Sequence, residues 1–188
     1  MQMQERAKTF ILGLGHQKCG TIWLYRYLSG SPAFAEGFIK EYHVWDAIDI
    51  EALDRHKARR PRIPFRKTPQ SFRYKMQNSK NFYFDYFASL FTGTKSITAD
   101  ITPSYSGLDA KRLADIKGKF SAKNVHVKVV ILMREPLSRI KSAVRFNLDR
   151  DNFNEGIQAG EVDFSKALRQ YYKTDHCAFE NALQLHPV

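Results

Sequence analysis

The chain has 188 residues, with 30 Lys and Arg against 19 Asp and Glu, for a formal net charge of +11. That length suits one domain with a substantial core, since a chain of this size buries roughly 70% of its unfolded surface. An apolar content of 43% with 13% aromatics excludes a disordered tail, and two cysteines, Cys19 and Cys177, are too few for a disulfide framework. No run of about 18 apolar residues is present to span a membrane, and the N-terminal apolar stretch is too short for a signal peptide. The expectation is a single soluble, cytoplasmic domain over residues 1–188. The charge is concentrated: between Arg55 and Lys80 lie ten Lys and Arg and no acid, so nearly all the excess is one local feature. Such a stretch suits nucleic acid, an anionic membrane surface or an acidic substrate, and composition does not choose among them.

In chain order, Thr9 to Leu14 is a short apolar run that predicts a buried strand. A glycine-bearing turn, Gly15 to Gly20, follows. From Thr21 the pattern becomes helical, and the spacing of Trp23, Leu24, Tyr27 and Leu28 predicts a buried face that ends at Gly30-Ser31-Pro32. Strand, turn and helix make the first half of an α/β unit. Residues 33–40 predict a short extended segment leading to Glu41–Asp46. Pro61, Pro64 and Pro69 predict loop rather than continuous helix through the basic stretch. Asn81–Phe91 reads as an aromatic-rich helix and Ser96–Ile101 as a strand stopped by Thr102-Pro103. Val127–Met133 is the clearest strand; after Arg134-Glu135-Pro136 a helix is expected from Leu137 to about Leu148.

A glycine turn between a buried strand and a helix exposes backbone N–H groups at the positive end of the helix dipole, which attracts phosphate-like anions. Gly15-x4-Gly20-Thr21 has the spacing of a nucleotide P-loop but lacks lysine between Gly20 and Thr21; the lysine is Lys18, inside the loop. The second strand ends in Arg134, and an arginine cannot hold the Mg²⁺ that an ATP or GTP site of the P-loop type requires. Arginine recognises phosphate instead, and Arg139 and Ser142 follow on the next helix. A ligand with two separated anionic groups, and no metal, is expected.

Four segments in order carry a resemblance to the sulfotransferases that use 3′-phosphoadenosine 5′-phosphosulfate (PAPS), especially the bacterial and heparan-sulfate-type branch. GHQKCGTIWLYRYL resembles the loop that cradles the 5′-phosphosulfate, and KEYHVWD the Lys-Glu-x-His-Phe-Phe segment. ADITPSYS resembles Glu-x-Thr-Pro-x-Tyr, and LMREPLSRIKSAVRF the 3′-phosphate motif Arg-Asp-Pro-x-x-Arg-x-x-Ser. The match spans roughly residues 9 to 150.

The resemblance implies an α/β, three-layer, P-loop-like fold with a central, mostly parallel sheet flanked by helices. It implies PAPS as donor, the 3′,5′-bisphosphate as product, no metal, and a hydroxyl or amine acceptor on a small molecule or carbohydrate. Glu41 matches the base, Lys18 the cation at the bridging oxygen, and His43 a neighbouring catalytic or acceptor-side residue. The donor-binding set is Lys18, Cys19, Gly20, Thr21, Ile22, Arg134, Arg139 and Ser142; for Arg139 a helix-surface residue is the plain alternative. Thr102 and Tyr105 belong to a segment near the acceptor cleft.

The chain departs from the pattern at several places. Ile22 replaces a second hydroxyl residue, Ile101 replaces a lysine of the heparan-type segment, and Glu135 replaces an aspartate. Residues 177–183 only faintly resemble a Gly-x-Tyr-x-x-x-Leu element, and the later family segments are expected to be missing. The basic stretch reads equally as a collar for an anionic acceptor or as a solvated loop. Two alternatives stay beside the sulfotransferase: a P-loop kinase of small molecules, and a non-catalytic module binding nucleic acid or another polyanion, with Phe65, Phe72 and Tyr74 stacking on bases.

Overall fold

The computed structural model describes residues 7–61, 68–150, 157, 160 and 163–174. Three parallel strands, β1 (Lys8–Gly13), β2 (Ile97–Asp100) and β3 (Val125–Val130), form one sheet in the order β2-β1-β3. Thr9 pairs with Ile97 on one side and with His126 on the other. Residues 33–35 extend the ladder beyond β2: the Ala35 N–H donates to the Ile97 carbonyl (2.7 Å) and Ile97 donates back to Ala33 (3.0 Å). Of the extended segment expected over 33–40, the pairing seen is the single parallel bridge of Phe34 with Ile97.

Alternation along β1 places Phe10 and Leu12 on one face and Ile11 on the other. Phe10 enters an aromatic core built by α4 (Phe82–Ser89) and α5 (Ala110–Ser121). Its ring stacks on Phe120 at 4.2 Å and meets Phe87 edge-on at 4.7 Å. Such ring pairs add about 0.5–1.5 kcal/mol each beyond the burial of area. On the opposite face, Ile11 packs with Phe34, Ala99, Ile101 and with Leu24, Tyr25 and Leu28 of α1 (Thr21–Ser29). Helices on both faces of a parallel sheet make the α/β class plain. Between these elements, α2 (Trp45–Asp49), a 3₁₀ turn (Glu51–His56) and α3 (Pro69–Asn78) follow the 41–46 segment. Farther along, α6 (Pro136–Leu148) packs on α7 (Phe164–Tyr172) around Ile140, Val144, Ala167 and Tyr171. Among the described residues no helix is long and apolar enough to cross a membrane.

Three sequence expectations change. Trp23 and Tyr27 do not face the core: they are 68% and 70% exposed and stack on each other, while Leu24, Tyr25 and Leu28 make the packed face. The basic stretch is not all loop, because Pro69 is the first residue of α3, where a missing N–H costs nothing, and Thr68 and Ser71 cap each other reciprocally. The third strand runs earlier than expected, since the Val125–Val130 ladder ends where β1 turns into its loop, and Val129, Ile131 and Met133 are exposed. Of the sequence features named above, Pro64, Phe65, Cys177 and the 177–183 element lie outside the described residues.

Candidate functional site

The carboxyl ends of all three strands open on one side of the sheet, the side where ligands of open parallel sheets bind. From β1, residues 14–20 stay laced to the chain beyond β3: Leu14 donates to the Val130 carbonyl (2.9 Å) and His16 to that of Leu132 (3.3 Å). The lacing explains Gly15, where a Cβ would sit 3.0 Å from that of Leu132. Gly20 enters α1 at φ 94°, a left-handed conformation suited to glycine. Gly20, the N-cap of α1, has no side chain with which to cap it, so the N–H groups of the first turn stand at the helix's positive end.

Lys18 adopts φ 64°, a strain of order 1–3 kcal/mol for a non-glycine residue, of the kind that collects at functional sites. Its ammonium lies 3.9 Å from the centroid of the Phe146 ring on α6, and its carbonyl accepts from Arg134 Nη1 at 3.2 Å. Ser142 is four residues before Phe146 and so shares its helix face. Lys18, Arg134 and the Ser142 face of α6 are thereby brought together. Ile22 is exposed just beyond Thr21. Glu135, the replacement for aspartate, caps α6 by accepting from the N–H groups of Leu137 (2.8 Å) and Ser138 (2.7 Å).

Arg139 is fully buried, which excludes the helix-surface alternative. His16 is buried near it. Burial, then the Arg139 charge, hold the His16 imidazole below its ordinary pKa, in the neutral form.

The second part of the site is the 40–46 segment, and α3 and the turn after β2 hold it in place. Arg73 on α3 donates to the carbonyls of Tyr42 (2.8 Å) and Glu41 (3.2 Å), and Gln77, one turn on, donates to that of His43 (2.6 Å). From the other side Thr102 Oγ1 accepts from the N–H of Tyr42 (2.9 Å), and the Tyr105 hydroxyl accepts from that of Val44 (3.1 Å). Both hydroxyls in turn donate to the buried Asp100, joined by Tyr83. Burial raises the Asp100 pKa to about 6 against these three bonds. Thr102 and Tyr105 were expected near the acceptor. They are instead wholly enclosed, with their hydroxyls engaged inside the protein, so they brace the site from behind.

His43, in the left-handed region at φ 51°, presents both ring nitrogens to acids. Nδ1 meets Asp46 at 2.6 Å and Nε2 meets Glu41 at 3.5 Å, and Asp46 also accepts from Ser104 (2.5 Å). Burial alone would lower the His43 pKa, but the bonds to Asp46 and Glu41 outweigh it and raise it to about 9. Burial alone would raise the Glu41 carboxyl; His43 and Lys40 overcome it and hold that pKa below its usual value. At neutral pH the cluster is an imidazolium between two carboxylates.

Lys40 joins the two parts. Its ammonium donates to Thr21 Oγ1 at the start of α1 (3.1 Å) and forms an ion pair with Glu41. Its carbonyl accepts from Ile101 at the end of β2 (3.1 Å). The geometry therefore connects Thr21, Lys40, Glu41, His43 and Asp46 by direct contacts, and the Lys18–Arg134 pair closes the far side of the same loop.

Sequence reasoning missed Lys40, Asp46, Asp100, Arg73 and Gln77. The first three lie inside segments whose resemblance was legible, and Asp46 stands three residues after His43, within reach from a turn. Arg73 and Gln77 share a face of a helix that the prolines concealed. No protein-family model matches the chain, and no curated protein or solved structure does either.

Proposed function

We propose that the chain is a sulfotransferase, built on a P-loop-like scaffold, that moves a sulfuryl group from PAPS to a hydroxyl or amine acceptor. The observation that carries this reading is Lys40, whose ammonium touches both the helix start that follows the anion-attracting loop and the carboxylate of Glu41. A donor's leaving phosphate and an acceptor's proton need a cation and a base within a few ångströms of one another.

The residues fit an elongated donor with an anion at each end. Main-chain donors from Gly20 to Ile22, with Lys18, suit the 5′ end, the Cys19 N–H being turned inward to the His16 carbonyl; Arg134, with Ser142 on the neighbouring helix face, suits the 3′-phosphate. The donor supplies an activated sulfuryl group on a phosphate anhydride. Lys18 and Lys40 offset the negative charge that develops on the phosphate oxygen. Glu41, ionised at neutral pH, takes the acceptor proton. Its depressed pKa makes it a weak base toward a free hydroxyl, but it suffices once bond formation to sulfur has made that proton acidic. His43, already protonated, orients the carboxylate rather than acting as base.

Transfer of ³⁵S from labelled PAPS to a panel of phenols, aliphatic alcohols and amino sugars tests the proposal. Labelled product that disappears with Glu41→Gln supports it; no transfer to any acceptor, together with no affinity for adenosine 3′,5′-bisphosphate, contradicts it.

A further inference from the structure

His56 belongs to none of the motifs, yet its ring lies parallel to that of His43, with centroids 3.8 Å apart and planes within 1°. It closes the 3₁₀ turn at the start of the basic stretch. One side chain staples the two residues together: Gln77 Nε2 donates to the carbonyls of both His43 (2.6 Å) and His56 (3.0 Å), and Gln77 Oε1 accepts from the N–H of Ala58 (2.7 Å). The contacts on His43 are of two kinds. Asp46 and Glu41 hold its edges in the ring plane. Two edge contacts leave the ring able to tilt about the line that joins them, and a flat group against its face removes that freedom. The Glu41 contact, at 3.5 Å, is the longer of the two and the first that a tilt would break.

The geometry points to His56 as a positioning residue for the transfer reaction, one that fixes the plane of the His43 ring and through it the direction of the Glu41 carboxylate. This inference rests on the sulfotransferase reading for its catalytic consequence but not for its structural one. The charge states agree with it. Burial, then the His43 charge, bring the His56 pKa down to about 4, so near neutral pH a neutral imidazole face lies against an imidazolium. That contact is an attractive cation–π arrangement. The charged groups around His56 are His43, Asp46, Arg55 and Arg73, and of these only Asp46 favours its protonation.

The test uses the full chain and two substitutions. In the wild type the His43 Nδ1 proton, bonded to Asp46, is expected as a slowly exchanging downfield NMR resonance that His43→Gln removes. His56→Ala should broaden or abolish that resonance. It should also lower kcat by about 10- to 100-fold while leaving KM for PAPS within about twofold. His56→Phe, which restores a flat face without a titrating group, should recover the resonance and most of kcat. A resonance unchanged in His56→Ala, or one that His56→Phe fails to restore, overturns the inference. If His56→Ala does not fold, His56→Gln, polar but without a ring, takes its place with the same expectation. If the wild type transfers no sulfuryl group, the functional reading fails, and the resonance alone decides the positioning role.

Discussion

Between Leu14 and Thr21 the chain offers backbone: a glycine turn laced to residues 130–132, left-handed Lys18 and Gly20, and a helix start without a side-chain cap. Between Lys40 and Asp46 it offers side chains, with two acids around one imidazole and every surrounding strut supplied from elsewhere in the chain. The first region suits an anion that arrives from outside, because peptide dipoles remain directed outward there. The second has its counter-charges built in and its geometry fixed before any ligand comes. A group-transfer site needs both kinds of construction: one that yields its donors to the substrate, and one that keeps a base in place while charge moves. The contrast predicts that substitutions in the two regions separate into effects on turnover, on stability and on affinity.

The largest expected effect is on chemistry alone. Glu41→Gln should lower sulfuryl transfer by about 10³-fold, while bisphosphate affinity measured by calorimetry stays within about twofold of wild type. A parallel loss of affinity would mean that the carboxylate belongs to the donor pocket, and the division between the regions would fail. Lys18→Ala should lower turnover by about 100-fold and weaken bisphosphate binding as well, because Lys18 serves the anion directly; a change in turnover without one in affinity would move it to the other region.

A smaller effect separates built-in charge from ligand-facing charge. Asp46→Asn should destabilise the fold by about 2 kcal/mol at pH 7, since it leaves a partly buried imidazolium with a weaker partner. The His43 pKa is raised from 6.5 to about 9 in the folded state. Its stabilisation is therefore complete below pH 6.5 and is lost as pH rises through 9. Urea unfolding should show the wild type losing stability across that window and Asp46→Asn losing much less. Equal slopes in the two proteins would contradict the charge state assigned to His43. Smallest is Arg134→Ala, at an exposed position, which should weaken the bisphosphate about tenfold without changing stability.

The strands were legible because apolar runs and alternation report the core directly, as Phe10 and Leu12 do. Helical spacing shows which residues share a face but not whether that face is covered, so Trp23 and Tyr27 were assigned to the core although they lie outside it. Pro69 read as a breaker because proline looks the same in a loop and at the first turn of a helix. Within the site, short segments were legible, with Lys18 in its turn, Glu41 and His43 in theirs and Arg134 ahead of its helix, yet Lys40 and Asp46 in the Glu41 segment were passed over although their contacts are local. The struts that escaped came from long-range contacts. Ser104 reaches Asp46 across 58 positions and Arg73 reaches Tyr42 across 31, and no local pattern encodes either. Thr102 and Tyr105 were noticed with their segment, but their bonds to the buried Asp100 were not legible, since a hydroxyl has the same sequence signature whether it faces a ligand or a buried carboxylate.

Calorimetric titration with adenosine 3′,5′-bisphosphate, beside ATP·Mg²⁺, tests the central claim most directly. The bisphosphate should bind without metal, more tightly than ATP·Mg²⁺, and Arg134→Ala should weaken it about tenfold. Preference for ATP·Mg²⁺, or no bisphosphate binding while salt-sensitive binding to heparin or DNA persists, would contradict it.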